Sequence, residues 1–329
     1  MKDKVLASID LGSNSCRIRI ATLEGNLLYK DSKPTKLGEG LFQTKKLSAD
    51  SMNRALSVFQ DFAEKMKAHH VEAYRAIATA ACRMAQNGKM FASEVEKQTG
   101  IKIEIIDSKE EARLNLKGAL LNADKDSEYV VVYDLGGAST EITLAKNNKT
   151  GEILHTISIP LGARNASEGY DLQEFQPNKA QKLANDIKAY VQAFIDDSHL
   201  KDYQDKCCLI ATSSTPLRLC SMVYGDGFYA REKNDGKILK KTDLDQAVQC
   251  CCEMSLSERA NSPYIGSDRA SVFVAAGVIF KSIYDTLDFK QMTVSFKGAQ
   301  DAILEELRNA EINKVRKACS RSKKFDGSR

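Results

Sequence analysis

A strand-turn-strand motif that occurs twice constrains the fold of this chain more than any other feature. The first copy reads VLASIDLGSNS at residues 5–15, and the second reads VVVYDLGGASTE at residues 130–141. In each copy an apolar run ends in Asp-Leu-Gly and small polar residues, and a second alternating run follows, which is typical of two strands joined by a tight turn. Strands alternate with helical segments along the whole chain, so the sequence predicts an α/β fold built from two topologically similar units.

Length, charge and cysteine usage narrow the class of protein. The 329 residues exceed one average domain, and a formal net charge of +4 gives no whole-protein attraction to nucleic acid or to a membrane surface. No signal peptide or membrane-spanning run is evident, so we expect a cytoplasmic protein with neither membrane nor nucleic-acid partners. The nine cysteines, including a doublet and a triplet, are interpreted as reduced structural thiols.

The repeated turn is a candidate phosphate-binding loop. Glycine offers no Cβ to block a ligand, and backbone N–H groups of such a turn converge on one concavity that suits phosphate oxygens. The candidate contacts are Gly12, Ser13, Asn14 and Ser15 in the first loop and Gly136, Gly137, Ala138, Ser139 and Thr140 in the second. One such loop alone is more often an ordinary hairpin turn. Two copies at the openings of two similar units favour a cleft in which both loops bind the same phosphate chain.

Acidic residues accompany both loops. Asp10 and Asp134 stand at the two loop entrances, and Glu141 follows the second loop. Carboxylates beside phosphates repel them unless a cation intervenes, which predicts Mg²⁺ at Asp10, Asp134 and Glu141, with Mn²⁺ as the alternative ion. A surface or capping role is the other interpretation of each acid taken singly.

The pair Glu110-Glu111 lies at the start of a predicted helix just before the second unit. Acids there complement the helix dipole, but successive helical residues diverge by about 100°, so one of the two can face the cleft. A glutamate facing the cleft could orient or deprotonate a water for attack on a terminal phosphorus.

With these residues the chain resembles the exopolyphosphatase/guanosine pentaphosphate phosphatase (Ppx/GppA) family of the actin, sugar kinase and Hsp70 superfamily, over nearly the whole length to about Leu307. The matching motifs are IDLGSNS at 9–15, LGEGL at 37–41, ATAACRMAQNG at 78–88, EEARL at 110–114, DLGGASTE at 134–141, PLGA at 160–163, ERA at 258–260 and DRASVFVAAG at 268–277.

The resemblance implies two ribonuclease H-like (actin-like ATPase) domains around a central interdomain cleft. We expect an N-terminal domain at residues 1–125 and a C-terminal domain at 126–307, whose last helix packs back on the first domain. A basic tail follows at 308–329, and we interpret it as solvated rather than as an arm that binds nucleic acid. A homodimer is left open.

The resemblance also implies hydrolysis of the terminal phosphate of inorganic polyphosphate or guanosine pentaphosphate with Mg²⁺. Glu111 then takes the role of catalytic base or water-orienting residue, and Glu141, with Asp134, serves metal and water. Arg83 and Arg269 match arginines expected to contact phosphate.

Three departures from the family pattern keep alternatives open. Ala138 replaces the third glycine of the loop, Ala211 and Ser214 replace the glycines of a GTSGT motif, and VSFKGAQDAIL at 294–304 replaces the usual VSDxGLREGIL. These changes could affect nucleotide selection. A non-hydrolytic sensor that binds guanosine or adenosine polyphosphates, or a polyphosphate:nucleotide phosphotransferase, remains an alternative. The basic segment at 231–241 is interpreted as an exposed loop rather than part of a polyanion path.

Overall fold

Each of the two repeated hairpins opens its own β-sheet. The computed structural model describes residues 4–148 and 150–325, with side chains through residue 314. The strands are β1 (Val5–Leu11), β2 (Ser15–Thr22), β3 (Leu27–Pro34), β4 (Ala73–Ala78), β5 (Ile103–Ile105), β6 (Tyr129–Leu135), β7 (Thr140–Lys146), β8 (Ile153–Ile159), β9 (Cys207–Thr212), β10 (Ile238–Lys240) and β11 (Gln291–Val294). The helices are α1 (Leu41–Thr44), α2 (Ala49–Ala68), α3 (Ala80–Met84), α4 (Gly88–Thr99), α5 (Ser108–Ala119), α6 (Ala163–Gly169), α7 (Pro177–Asp197), α8 (Ser214–Val223), α9 (Lys241–Glu253), α10 (Leu256–Asn261), α11 (Ser267–Ala270), α12 (Phe273–Leu287) and α13 (Ala299–Phe325).

The two sheets share one strand arrangement, which confirms the predicted topological repeat. The first sheet has the order β3-β2-β1-β4-β5, and the second has the order β8-β7-β6-β9-β11-β10. In both, the opening strand is antiparallel to the next strand of its hairpin and parallel to a strand that arrives later through helices. The carboxyl ends of β1 and β4 therefore lie side by side, as do those of β6 and β9.

Local sequence signals explain where several helices begin and end. The side chain of Ser48 accepts a hydrogen bond from the Ser51 amide and caps α2, as its sequence predicts. Phe59 and Phe62 on α2 are fully buried, in agreement with the apolar spacing. Gly100 ends α4 with a φ of +74°, a left-handed conformation that glycine adopts without steric cost.

Helix α5 packs between the two sheets. Its Leu114 lies in a buried cluster with Ile77 of β4 and Ile303 of α13. Its Leu116 lies in another buried cluster with Val132 of β6. Residues on this helix are therefore held by both halves of the molecule.

The last helix packs back on the first sheet and is longer than expected. The predicted boundary of a tail at residue 308 falls inside α13. Arg308 Nε donates to the Leu23 carbonyl at 2.8 Å, and Glu311, only 3% exposed, pairs with Lys4. Past Leu307 the helix is held by these side chains, which contact residues adjoining the first sheet. Residues 326–329 of the expected tail lie outside the described residues.

The described residues bear on the cysteines and on membrane-spanning helices. The eight cysteines with described side chains are free thiols, as expected. Along the described ranges, no helix combines the length and the apolar character that crossing a membrane requires.

Gly118→Ala should lower the free energy of unfolding by about 1–3 kcal/mol, because a Cβ on Gly118 would lie 2.3 Å from the Gly298 carbonyl oxygen. Alanine is otherwise the better helix former by about 1 kcal/mol. Gly277→Ala in α12 is the matched control, since its nearest atom is a Val248 methyl at 3.3 Å that can move. Urea unfolding would measure both variants; equal stability of the two would contradict the close packing of α5.

Candidate active site

Both repeated loops line a single cavity of about 490 Å³ between the two halves of the molecule. Each loop closes in the same way: the Gly12 amide donates to the Ser15 carbonyl at 3.0 Å, and the Gly136 amide donates to the Ser139 carbonyl at 3.0 Å. The hairpin turns predicted from the sequence are therefore present twice, and they face each other.

The two loops touch. A Cβ placed on Gly137 would lie 2.8 Å from the Ser13 Cβ, so only glycine allows this approach. The start of α6 supports both loops from behind. The Arg164 amide donates to the Gly137 carbonyl at 2.7 Å, and the buried Arg164 guanidinium donates to Asn14 Oδ1 across the domain gap.

The loops offer unused backbone donors. The amides of Ser13, Asn14, Gly137 and Ser139 donate to no acceptor among the described residues, and all four residues line the cavity. Free amides from two adjoining turns form a concave set of positive dipole ends that suits an anion such as phosphate.

The duplicated hairpins carry different charges at the same register position. In the first hairpin Asp10 pairs with Arg17 across the strands, with 3.5 Å between Arg17 Nη1 and Asp10 Oδ2. In the second hairpin Asp134 pairs with Glu141. The first copy is thus partly neutralised, whereas the second places two acids side by side.

Asp134 is held on the cavity wall by neutral donors. Its Oδ1 accepts from Thr212 Oγ1 and its Oδ2 from Asn115 Nδ2, both at 2.7 Å. Burial raises the pKa of Asp134, and burial together with the charge of Asp134 raises the pKa of Asp10, against the opposing effect of Arg17. Both aspartates line the cavity.

The structure separates the roles of Glu110 and Glu111. Glu111 lines the cavity and is only 7% exposed, whereas Glu110 pairs with Arg75 and Arg113 away from it. Glu111 Oε2 accepts from Arg83 Nη1 at 2.8 Å, and Oε1 accepts no hydrogen bond from the described residues. Burial first, and then the charge of Glu141, raises the pKa of Glu111 well above its ordinary value, against the lowering effect of Arg83.

Glu141 lies behind the cavity wall and is 2% exposed. Its Oε1 accepts from Ser139 Oγ at 2.7 Å and from Ser158 Oγ at 2.9 Å. Its Oε2 is buried and has no hydrogen-bond partner among the described residues. Burial and the charge of Asp134 raise the pKa of Glu141 to about 7.

The carboxylates beside the loops are chemically suited to a hard cation, but they do not form a complete set of metal ligands. Asp10, Asp134 and Glu141 supply carboxylate oxygens, and the orphaned Glu141 Oε2 leaves one buried acceptor unfilled. Within the described ranges, however, no three His, Cys, Asp or Glu side chains converge as a metal site. Mg²⁺ usually takes one or two carboxylates and completes its shell with waters and substrate phosphates, so Asp10 and Asp134 on the wall fit this ion.

Several predicted contacts lie elsewhere than expected. Arg83 is not on the cavity wall; it donates to the Ile106 carbonyl and holds Glu111. Ala138 and Thr140 are buried behind the second loop, where Thr140 Oγ1 donates to the Leu161 carbonyl. Arg269 is half-buried on the wall, and its role as a phosphate contact stays a prediction.

The lost glycines do not fall on positions that need glycine. None of the replacements Ala138, Ala211 and Ser214 has a positive φ. Ala211 lies in β9, and Ser214 is the first residue of α8. The backbone of these segments therefore tolerates a Cβ at all three positions.

Sequence reasoning missed several residues on the cavity wall. The additional wall residues include Arg17, Arg19, Asn115, Thr212, Arg218, Tyr229, Arg231, Phe296 and Lys297. The alternation in CRIRIA could have placed the first two arginines on one face, and Asn115 lies one helical turn after Glu111. The expectation that residues 231–241 form only an exposed loop is wrong for Arg231, which is half-buried in the cavity.

Comparison with known proteins gives a consistent match. Residues 19–310 match the model of the Ppx/GppA phosphatase family. The chain is 28% identical over 316 residues to a bifunctional 3-dehydroquinate synthase/phosphatase of Fusobacterium nucleatum, covering 92% of this chain and 46% of that protein. It is 27% identical over 321 residues to a guanosine-5'-triphosphate,3'-diphosphate pyrophosphatase of Pseudoalteromonas translucida, covering 94% of this chain and 61% of that protein. The chain thus spans about half to three fifths of these curated relatives.

Solved structures share the fold. An exopolyphosphatase-like protein superposes with a TM-score of 0.83 at 22% identity, over 93% of this chain and 99% of that one. An exopolyphosphatase from Cytophaga hutchinsonii gives 0.83 at 20% identity, over 93% and 98%. The Aquifex aeolicus Ppx/GppA family member gives 0.75 at 23% identity, over 93% and 98%. The predicted α/β fold, with two actin-like domains around a central cleft, is confirmed.

Glu141→Gln should raise the free energy of unfolding at pH 8 by about 1–3 kcal/mol in EDTA. Because folding raises the pKa of Glu141 to about 7, the stability linked to its protonation is full below the ordinary carboxyl pKa and is lost as pH rises through about 7. Glutamine keeps an acceptor for Ser139 and Ser158 without the charge.

Urea unfolding at pH 5 and pH 8 would test this, with the gain absent at pH 5. Glu110→Gln is the control of opposite sign, because ion pairs with Arg113 and Arg75 lower the pKa of Glu110 to about 2. Loss of the Glu110 charge should therefore lower the free energy of unfolding at pH 8. A Glu141→Gln variant less stable than wild type at pH 8 would contradict the uncompensated buried charge.

Proposed function

The chain belongs to the Ppx/GppA phosphatase family, and from this we propose that it hydrolyses the terminal phosphate of inorganic polyphosphate or of guanosine pentaphosphate. The relatives whose names specify guanosine-5'-triphosphate,3'-diphosphate pyrophosphatase support the nucleotide as one candidate. Both substrates end in a phosphoanhydride-linked phosphate, so one site and one reaction serve either.

One observation carries the proposal. Free amides of two touching loops face the same cavity as the buried Glu111, whose Oε1 accepts no hydrogen bond from the described residues. Ser13 and Gly137 would bind oxygens of the terminal phosphate between them. Glu111 would then lie beside that phosphate with an acceptor ready for a water.

The reaction needs a base and an attacking water. A water hydrogen-bonded to Glu111 Oε1 would attack the terminal phosphorus and transfer a proton to that oxygen. The bond between the phosphorus and its bridging oxygen breaks, and the electron pair leaves with the shortened phosphate chain. Arg83 keeps Glu111 in place and favours its charged form against burial.

Negative charge on the transferring group must be stabilised at the same time. The loop amides are fixed before substrate arrives, so they stabilise charge without reorganising. Mg²⁺ bound by Asp10 and Asp134 would neutralise phosphate charge when present. Asn115 and Thr212 hold the Asp134 carboxylate in place on the cavity wall.

The direct test is phosphate release from the purified chain with Mg²⁺, measured with both substrates and with guanosine triphosphate. We expect release from at least one of the first two. Folded protein that binds a substrate but releases no phosphate would contradict the proposal and favour a sensor.

Glu111→Gln should lower kcat by about 10²-fold or more while substrate still binds, because the amide cannot accept the proton. Glu110→Gln is the matched control one residue earlier, where the side chain faces Arg75 and Arg113 instead of the cavity. Single-turnover phosphate release and calorimetry would separate chemistry from binding. Equal losses in both variants would refute the base assignment.

Arg83→Gln should move the acid limb of kcat/KM to higher pH. The Arg83 guanidinium lowers the pKa of Glu111, so its removal lets burial raise that pKa further and leaves less ionised base near neutral pH. The rate should approach wild type at alkaline pH. Arg113→Gln, which removes a guanidinium from Glu110 instead, should leave the profile in place; an unshifted Arg83→Gln profile would contradict the assignment.

A further inference from the structure

One residue of α6 joins the two loops that meet at the cavity. The Arg164 amide donates to the Gly137 carbonyl of the second loop at 2.7 Å, and its guanidinium Nη2 donates to Asn14 Oδ1 of the first loop. Among the described residues, the bond to Asn14 is the one hydrogen bond between the first loop and the second domain. Arg164 is therefore bound to one loop through its main chain and to the other through its side chain.

The start of α6 is fixed to the second loop by further hydrogen bonds. The Ala163 amide donates to the Gly136 carbonyl at 2.9 Å. Asn165 Nδ2 donates to the Ala138 carbonyl at 2.8 Å. The main chain of Arg164 is thus held on both sides, so the second domain sets the direction in which its side chain leaves the helix.

The first domain holds the first loop only by its carbonyl groups. The Asn14 carbonyl accepts from the Thr35 and Lys36 amides at 3.0 Å each, in the segment that follows β3. The Ser13 carbonyl accepts from the Gly38 amide at 2.8 Å. The side chain of Asn14, by contrast, is held by the second domain.

Glu168 makes a second contact from α6 to the first domain. It lies one helical turn after Arg164, so the two side chains share one face of the helix. The Glu168 carboxylate oxygens accept from the Gly40 amide at 3.2 and 3.3 Å. Arg164 Nη1 lies 3.9 Å from Glu168 Oε1. Helix α6 therefore contacts both the first loop and the segment behind it.

The charge of Arg164 is poorly compensated for a buried arginine. Its side chain is 6% exposed, and its Nε has no hydrogen-bond partner among the described residues. Arg259, which is fully buried in the second domain, donates instead to three main-chain carbonyls. Burial lowers the pKa of Arg164, against the charges of Glu168 and Glu39. Because such a buried cation is costly, stability alone does not explain Arg164.

We propose that Arg164 is a positioning residue for the reaction, which holds Asn14 so that the free amides of the first loop lie beside Gly137 before substrate arrives. The inference deepens the proposed function and rests on it for the identity of the substrate. Arg164 is not on the cavity wall, so it acts through Asn14 and not by touching phosphate. A loop that is ordered in advance gives a higher apparent affinity, because the ligand does not have to order it.

Arg164→Met should raise KM about tenfold with kcat within about twofold, as expected if the first loop is competent about a tenth of the time without the guanidinium. Methionine is unbranched and keeps the apolar stem beside Gly38. Arg164→Lys retains a charged donor and should recover part of the affinity. Phosphate release from the better of inorganic tripolyphosphate and guanosine pentaphosphate measures all three proteins.

Val191→Ala in α7 is the control for a loss of stability alone. Val191 is fully buried in the core of the second domain, so its truncation should lower the urea midpoint and leave KM unchanged. If Arg164→Met behaves in the same way, Arg164 has a purely structural role and the assignment is overturned. A fall in kcat with unchanged KM would assign Arg164 to the chemical step and would also overturn it.

The effects of Arg164 and Asn14 should be coupled. Asn14→Ala removes the acceptor of the guanidinium and keeps the main-chain amide of the loop, so it should raise KM to a similar extent. Arg164→Met should then add little in the Asn14→Ala background. Additive effects on KM would show that the guanidinium does not act through Asn14 and would contradict the proposal.

Hydrogen exchange in the protein without ligand keeps this test separate from the proposed function. The Thr35, Lys36 and Gly38 amides donate to carbonyls of the first loop, so their exchange reports how well that loop is held. They should exchange faster in Arg164→Met than in Val191→Ala. Such a difference supports the positioning role even if the wild type hydrolyses neither substrate. Exchange at these amides that is no faster than in wild type overturns it, whatever the activity.

Discussion

The contact between Ser13 and Gly137 determines the geometry of the cleft. At this point the two hairpin loops approach so closely that a single Cβ on Gly137 would collide with the Ser13 side chain. The start of α6 supports the contact from behind through the Gly137 carbonyl and through the Arg164 guanidinium, which reaches Asn14 in the other domain. Two turns that are ordinary in isolation thereby become one concave wall of free amides.

The charges of the cavity are sorted into two halves. Near the loops, Asp10, Asp134 and Glu111 face the cavity with raised pKa values, because burial opposes their ionisation. In the other half, Arg218, Arg231 and Arg269 face the same space, and none of them forms an ion pair with a described carboxylate. The buried charges of each half are electrostatically unfavourable on their own. An anionic ligand would compensate the arginines, and a divalent cation would compensate the acids. Buried active sites commonly hold such charges at a cost in stability because the charges are needed for function.

The two hairpins share their geometry and differ in charge. The register that pairs Asp10 with Arg17 in one copy pairs Asp134 with Glu141 in the other. The acid-rich copy lies next to α5, and α5 packs against both sheets, so Glu111 is positioned by the whole molecule and not by its own domain. This explains why neither half alone contains the complete site.

The sequence by itself determined the repeated hairpins, the capped helix after Ser48, the helix end at Gly100 and the presence of a glutamate pair, because periodicity and turn chemistry act between near neighbours along the chain. The tertiary structure decided which glutamate faces the cavity and moved Arg83 from a phosphate contact to a partner of Glu111. It also brought the Arg164 side chain to Asn14. Those contacts join elements far apart in sequence, and only the packing of both sheets around α5 and the cleft sets their distances.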